Sequence, residues 1–332
     1  MKPWRELSER GRLGRLKVAA IAALDAYDLE VARVSLVGGF VNAVFRADLD
    51  HARSGRAAVA VRVERSHDHP DADADIELSW LAELVGADFG PELGVVEPIR
   101  SRDGALYVRV DVPGVPKSRR CTVFGWVGGR PLADQISEDS YRRLGRLSAE
   151  LHKHGASYRP AVRPMAWDEI FYWPESIDPV VIDEPDSRRH FTDHQWQVLE
   201  RARSVVQPAF DRLAPEGAQI CHGDLHPWNV HRIRNRLIAL DFEDVMWAHP
   251  VQDIAITLSY FMHHPERANL VAAFEEGYTE LAPWPEAYAG QIDHFVVARR
   301  LMFVNMLLNE GNLSDYLPTW IPLFEAFLAT RD

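Results

Sequence analysis

The chain has 332 residues, 47% apolar and 26% charged, a globular balance long enough for two lobes or domains and a substantial core. Its net charge of −12 argues against a nucleic-acid surface and is compatible with a cationic ligand. Two cysteines, Cys121 and Cys221, supply neither a disulfide framework nor a four-cysteine zinc site, and fit a reducing compartment.

In chain order, an Ala-rich stretch with helical apolar spacing predicts a short helix over 18–29. Two strands follow over 31–47, with Val34, Leu36, Val44 and Phe45 flanking Gly38-Gly39-Phe40-Val41-Asn42. A glycine pair between strands lets backbone N–H groups approach a phosphate with no Cβ in the way, although Gly-Gly is also an ordinary hairpin signal. A strand over 57–64 carries one cation, Arg62, near its end. The helix expected over 73–85 sets Ile76, Trp80, Leu81 and Leu84 on one stripe. Further strands are expected over 104–110 and 121–127, the second running into Gly128-Gly129-Arg130-Pro131 as a linker between lobes would.

Beyond that linker the pattern turns helical. A helix over 140–154 presents Leu144, Leu147 and Leu151 on one face, with Gly155 as its expected stop and His152 as a structural polar residue. Residues 159–193 are rich in Pro, Trp, Asp and Arg with little periodicity, which suits a substrate-specific insertion. Helices return over 195–213, 251–263, 266–281, 292–309 and 318–328. No apolar run reaches signal-peptide or membrane-spanning length uninterrupted, so the expected setting is cytoplasmic, with neither membrane nor nucleic-acid partners.

The chemistry concentrates between Ile220 and Asp253. Asp224 stands five positions before Asn229, and Asp241 ends the apolar run Leu237-Ile238-Ala239-Leu240 twelve positions further on. Phosphoryl transfer needs a base to orient a hydroxyl and hard oxygen ligands to hold Mg²⁺ against nucleotide phosphates, and these three residues supply those roles. A hairpin over 230–240, turning at Arg234-Asn235, is expected to bring Asp241 back beside the loop.

His222-Gly223-Asp224-Leu225-His226-Pro227-Trp228-Asn229 followed by Asp241-Phe242-Glu243 resembles the signature of the aminoglycoside phosphotransferase and choline kinase family, which includes the stress-response kinase A type. The resemblance covers the chain from about Val31 onward and implies an α+β, bilobal protein-kinase-like fold. An N-terminal mixed-sheet, nucleotide-binding lobe is expected over 1–124 and a mainly helical catalytic and substrate lobe over 125–332. The resemblance further implies ATP and Mg²⁺ as cofactors, with Gly38, Gly39 and Asn42 over the phosphates. Arg62, in place of the usual lysine and paired with Glu77, would sit on the nonbridging oxygens, and the hinge would run from Phe124 through Trp126. Asp224 would act as the base, Asn229, Asp241 and Glu243 as the metal side, Asp244 as a solvated turn charge, and Asp253 as a helix cap or a brace under the loop.

The expected acceptor is a hydroxyl of a small molecule, with a Ser/Thr side chain of a protein as the alternative and a non-catalytic nucleotide-binding pseudokinase behind it. Asp168, Glu169, Glu175, Asp178, Asp183, Glu184 and Asp186 suit a cationic acceptor or are simply solvated charges. A rival reading takes His222, Asp224 and His226, with His231 nearby, as ligands of a metallohydrolase, but no supporting ligand cluster occurs between positions 31 and 217.

Overall fold

The computed structural model describes residues 2–39, 42–50, 56–65, 70–175 and 177–331. Two compact units emerge, Met1–Gly129 with Ile233–Leu240, and Arg130–Arg232 with Asp241–Asp332.

The first unit is a sheet covered by a helix. Strands β1 (Val31–Gly39), β2 (Asn42–Leu49), β3 (Ala58–Glu64), β5 (Pro98–Ile99), β6 (Tyr107–Val110) and β7 (Arg119–Gly125) form an antiparallel sheet. Its order is β1-β2-β3-β7-β5, with β6 also on β7. A short strand β4 (Leu93–Val95) pairs separately, in parallel, with β11 (Arg236–Ala239).

Along β2 burial alternates, so Ala43, Phe45, Ala47 and Leu49 face inward with Val59, Val61, Val63, Cys121 and Val123 of the neighbouring strands. Helix α1 (Glu9–Leu24) covers that face with Leu16, Ala19, Ala20 and Ala23. It begins well before the expected position 18, because the Ser8 side chain accepts from the Gly11 N–H and caps it there. Arg10, Arg12, Arg15 and Lys17 mask the helical period of its first turns, while Val18 is half exposed and the small alanines make the contact. Helix α2 (Asp71–Gly86) buries Ile76, Glu77, Trp80, Leu81 and Leu84, the expected stripe with a carboxylate added.

The second unit is mainly helical. Strand β9 (Gln219–Cys221) pairs antiparallel with β12 (Met246–Ala248), and β8 (Arg130–Pro131) pairs with β10 (Val230–Ile233). The turn expected after β10 is present, with Arg234 at φ 53. The helices are α3 (Glu138–Ser157), α4 (Asp193–Asp211), α5 (Pro250–Ser259), α6 (Arg267–Thr279), α7 (Gln291–Glu310) and α8 (Leu317–Ala329).

Capping boxes start α3 at Ser137 and α4 at Thr192. Gly155 lies inside α3 and does not stop it. A Cβ there would come within 2.3 Å of the Ile220 carbonyl oxygen, so the glycine serves the approach of α3 to β9. Helix α7 packs against α4 and α5, and Trp167, Phe210 and Phe295 meet at edge-to-face angles in that core. Among the described residues, no helix is long and apolar enough to cross a membrane.

Candidate active site

The loop after β9 is anchored from beneath. Gly223 sits at φ 81, and a Cβ on it would fall 1.9 Å from the Asp244 carbonyl oxygen, so only glycine fits between Asp224 and the segment that follows Asp241. The Gly223 N–H donates to Asp253 Oδ1 at 2.8 Å, and Asp253 Oδ2 lies 2.9 Å from His152 Nε2. The other His152 nitrogen is 3.0 Å from the Tyr278 hydroxyl. Burial alone would raise the Asp253 carboxyl, but the His152 hydrogen bond and charge, His222 and the Gly223 N–H together hold it below its ordinary value.

Around Asp224 the loop folds on itself. The Asp224 N–H reaches His222 Nδ1 at 3.2 Å, and the His222 ring lies against Phe242 with centroids 4.4 Å apart. His226 Nδ1 faces the N–H groups of Trp228 and Asn229, each at 3.2 Å. That nitrogen is therefore the acceptor, and the ring proton sits on Nε2, which points at Asp224 Oδ2 from 3.3 Å. Asn229 Nδ2 donates to the Asp224 carbonyl at 3.0 Å and to Oδ2 at 3.2 Å, which turns its amide oxygen away from Asp224.

On the other carboxylate oxygen, the Tyr260 hydroxyl donates to Oδ1 at 2.7 Å, and Arg299 Nη2 lies 3.6 Å from the same atom. Burial works to raise the Asp224 carboxyl, but His226, Arg299 and Tyr260 outweigh it and bring the group down to about 2. Asp224 is thus an ionised carboxylate whose orientation is set from four sides.

Asp241 is exposed and takes φ 56, a left-handed conformation that Asp tolerates, while the next residue, Phe242, is buried. Asp244 is not the solvated turn charge expected. It is half-buried, and burial followed by the charge of Asp224, with Glu243 and Asp241 adding to it, pushes its carboxyl well above the carboxylate range.

The other predicted residues lie in the first unit. Arg62 Nη2 meets Glu77 Oε2 at 2.6 Å with both side chains largely buried, and the guanidinium carbon sits 5.2 Å over the Phe124 ring. Trp126 carries Arg46 over its ring at 4.8 Å. In the expected hinge the Gly125 N–H is already given to the Glu97 carbonyl at 2.8 Å, and the Trp126 N–H is 3.4 Å from the Ala58 carbonyl. Gly38 and Gly39 end β1, paired with Val44 and Ala43, and Asn42 opens β2 opposite Glu64. The tip between them, Phe40 and Val41, lies outside the described residues.

Three residues at the centre escaped the sequence reading: Tyr172, Tyr260 and Arg299. The signal was faint, an Arg299-Arg300 pair inside the otherwise apolar stretch Val296-Val297-Ala298 and Leu301-Met302. The metallohydrolase reading loses two of its ligand atoms, since His222 and His226 spend their Nδ1 atoms on backbone N–H groups. Among the described residues, three metal-type donors gather within 4.8 Å only at His152, Cys221 and Asp253, where the histidine and carboxylate already bind each other.

A sheet unit with a buried Arg–Glu pair and a helical unit holding an ionised Asp beside an Asn define a kinase-like phosphotransferase. The chain belongs to the phosphotransferase enzyme family, whose model matches residues 32–289. It is 26% identical over 274 residues to an uncharacterized protein of Deinococcus radiodurans, covering 80% of this chain and 75% of that one. It is 23% identical over 252 residues to amicoumacin kinase of Bacillus subtilis, covering 70% and 68%. Among solved structures, it is similar to a microcompartment-associated aminopropanol kinase with TM-score 0.73 and 21% identity over 95% of this chain and 98% of that one. An amicoumacin kinase in complex with AMP-PNP, Ca²⁺ and Ami compares with TM-score 0.71 and 16% identity over 96% and 95%. The fold is therefore the kinase-like one, with an N-terminal sheet and a helical C-terminal part.

Proposed function

We propose that this protein transfers the γ-phosphoryl group of ATP, with Mg²⁺, to a hydroxyl of a small molecule, with Asp224 receiving that hydroxyl. The observation that carries the reading is the state of Asp224. Among the described residues, Tyr260 donates to its Oδ1 and His226 and Asn229 face its Oδ2, with Arg299 Nη2 3.6 Å from Oδ1, and an acceptor O–H would be received on Oδ1. A carboxyl at about 2 is a weak base, so its part is to aim the hydroxyl and to take the proton late, as the bond to phosphorus forms. That suits a loose phosphoryl-transfer transition state, in which positioning supplies most of the catalysis.

The nucleotide falls to the N-terminal lobe, residues 1–124, with the acceptor on the lobe of 125–332. Gly38, Gly39 and Asn42 cover the phosphates, Arg62 braced by Glu77 meets their nonbridging oxygens, and Phe124 and Trp126 flank the adenine. On the metal side stand the Asn229 amide oxygen, Asp241 and Glu243, all hard oxygen donors. Bound Mg²⁺ would offset the charge on the transferring group. Two free, buried cysteines fit a cytoplasmic setting.

A small-molecule acceptor is preferred because the relatives of known activity are named for small molecules, amicoumacin and aminopropanol. The test is transfer of label from γ-labelled ATP with Mg²⁺ to a panel of aminoglycosides, amino alcohols, sugars, homoserine and generic protein substrates. Label on a small molecule is the expected result. Label on proteins alone would make the chain a Ser/Thr protein kinase, and transfer to water alone would make it a nucleotide-binding protein without an acceptor.

A further inference from the structure

Arg299 lies on α7, beyond the residues matched by the family model, and its side chain is 4% exposed. A buried guanidinium costs several kcal/mol unless charge and hydrogen bonds compensate it. Here the compensation comes from the base itself. Nη2 stands 3.6 Å from Asp224 Oδ1, Nη1 donates to the Tyr172 hydroxyl, and the guanidinium carbon lies 4.9 Å over the Phe303 ring. At 3.6 Å the contact with Asp224 is one of charge rather than a hydrogen bond, while Tyr260 supplies the hydrogen bond to the same oxygen.

Tyr172 belongs to the irregular stretch after α3, and that stretch is fastened to α7 near Arg299. Asn305, fully buried six residues further along the helix, donates through Nδ2 to Asp178 Oδ2 at 3.1 Å and to the Pro179 carbonyl at 3.0 Å. Its Oδ1 accepts from the Ile182 N–H at 3.0 Å. Polar contacts therefore run from Tyr172, on this stretch, through Arg299 to Asp224, and Asn305 separately fastens the stretch to α7.

We infer that Arg299 is a positioning residue for phosphoryl transfer, holding the Asp224 carboxylate in place by its charge, and that Tyr172, from the irregular stretch after α3, sets Arg299. The inference rests on Asp224 as the acceptor-facing residue. A surface arginine would be replaceable at little cost. A buried one bound to a tyrosine on one side and the base on the other is built to fix geometry, and displacing a reacting group by about 1 Å costs on the order of 100-fold in rate. Lysine returns the charge but not the planar fork that spans Tyr172 and Asp224.

The experiment compares Arg299→Met, Arg299→Lys, Tyr172→Phe and the Tyr172→Phe/Arg299→Met pair with the parent and Asp224→Asn. Each is assayed on the acceptor labelled in the panel, with Mg-ATP binding measured by calorimetry. Arg299→Met is expected to lower kcat by about 100-fold with both KM values within about 3-fold, and Arg299→Lys to recover about 10-fold of that loss. Tyr172→Phe is expected to lower kcat by about 3-fold. The double variant is expected to be no slower than Arg299→Met, because the tyrosine acts through the arginine. Parental kcat in Arg299→Met, a loss confined to KM, or no recovery with lysine would overturn the inference. Should Arg299→Met fail to fold, Tyr172→Phe decides, and an unchanged kcat there overturns it. An active Asp224→Asn would instead refute the base assignment, whereas an inactive Asp224→Asn beside a fully active Arg299→Met would refute the arginine's role alone.

Discussion

Asp253 and Arg62 each hold a charge where water is scarce, and each loses something measurable when that charge goes. Asp253 receives the Gly223 N–H and faces His152, and its carboxyl lies below the ordinary value. A depressed folded-state carboxyl stabilises the protein above the unfolded value of about 4, and that contribution is lost as pH falls through the folded value. Asp253→Asn, which keeps an acceptor for Gly223, is expected to cost about 1–3 kcal/mol at pH 7 in urea unfolding, with the gap from the parent narrowing below pH ~4. A gap of undiminished size in acid would contradict the charge argument. Arg62 meets Glu77 at 2.6 Å in a largely buried pair. Arg62→Ala removes the ion pair with Glu77 and the proposed phosphate contact, so the KM for ATP should rise by about 10-fold or more, the loss of one charge-assisted contact. Arg62→Lys should recover much of it, and ATP kinetics indifferent to both changes would remove Arg62 from the nucleotide site.

At the scale of elements, the second unit depends on backbones brought closer than side chains allow. On α3, a Cβ at Gly145 would lie 2.0 Å from the Phe274 carbonyl oxygen. On α6, one at Gly277 would lie 1.8 Å from that of Arg142, so the two helices meet glycine to backbone. Gly277→Ala cannot be absorbed by a rotamer change, because the obstacle is main chain. It is expected to destabilise the protein by about 1–3 kcal/mol, the range for overpacking, read as a fall in the urea midpoint with an unchanged slope. A midpoint equal to the parent's would mean that the helices separate at no cost. This reliance on glycine also shows where reading from sequence stops. The stripes Ile76-Trp80-Leu81-Leu84 and Leu144-Leu147-Leu151 were legible because helical period is local. The end of α3 was misread because Gly155 answers to Ile220, 65 positions away. The start of α1 was missed because arginines covered its period, although Ser8 stood as a cap signal.

For the whole molecule, the motif from His222 to Glu243 carried the family and the fold, since its spacing is itself the chemistry. What surrounds Asp224 was not legible. Tyr172, Tyr260 and Arg299 come from three separate stretches and converge on Asp224 only through tertiary packing. Asp244 was misjudged for the same reason, its neighbours being supplied by the fold. Nor is the acidity of the stretch after α3 simply a display for a cationic acceptor. Asp183 pairs with Arg203, Asp186 lies within 3.7 Å of Arg189, and Asp178 is buried against Asn305. The net charge of −12 thus coexists with a buried cation beside Asp224.

The central claim is that Asp224 orients the acceptor hydroxyl during transfer. It is tested most directly by comparing Asp224→Asn with the parent in two measurements on one preparation: Mg-ATP affinity by calorimetry, and turnover of γ-labelled ATP onto the acceptor found in the panel. Asparagine matches the shape of the carboxylate and removes its charge. The account predicts Mg-ATP affinity within about 3-fold of the parent and turnover lower by about 100-fold or more, the scale of losing a positioned acid-base group. Turnover equal to the parent's at unchanged affinity would contradict it.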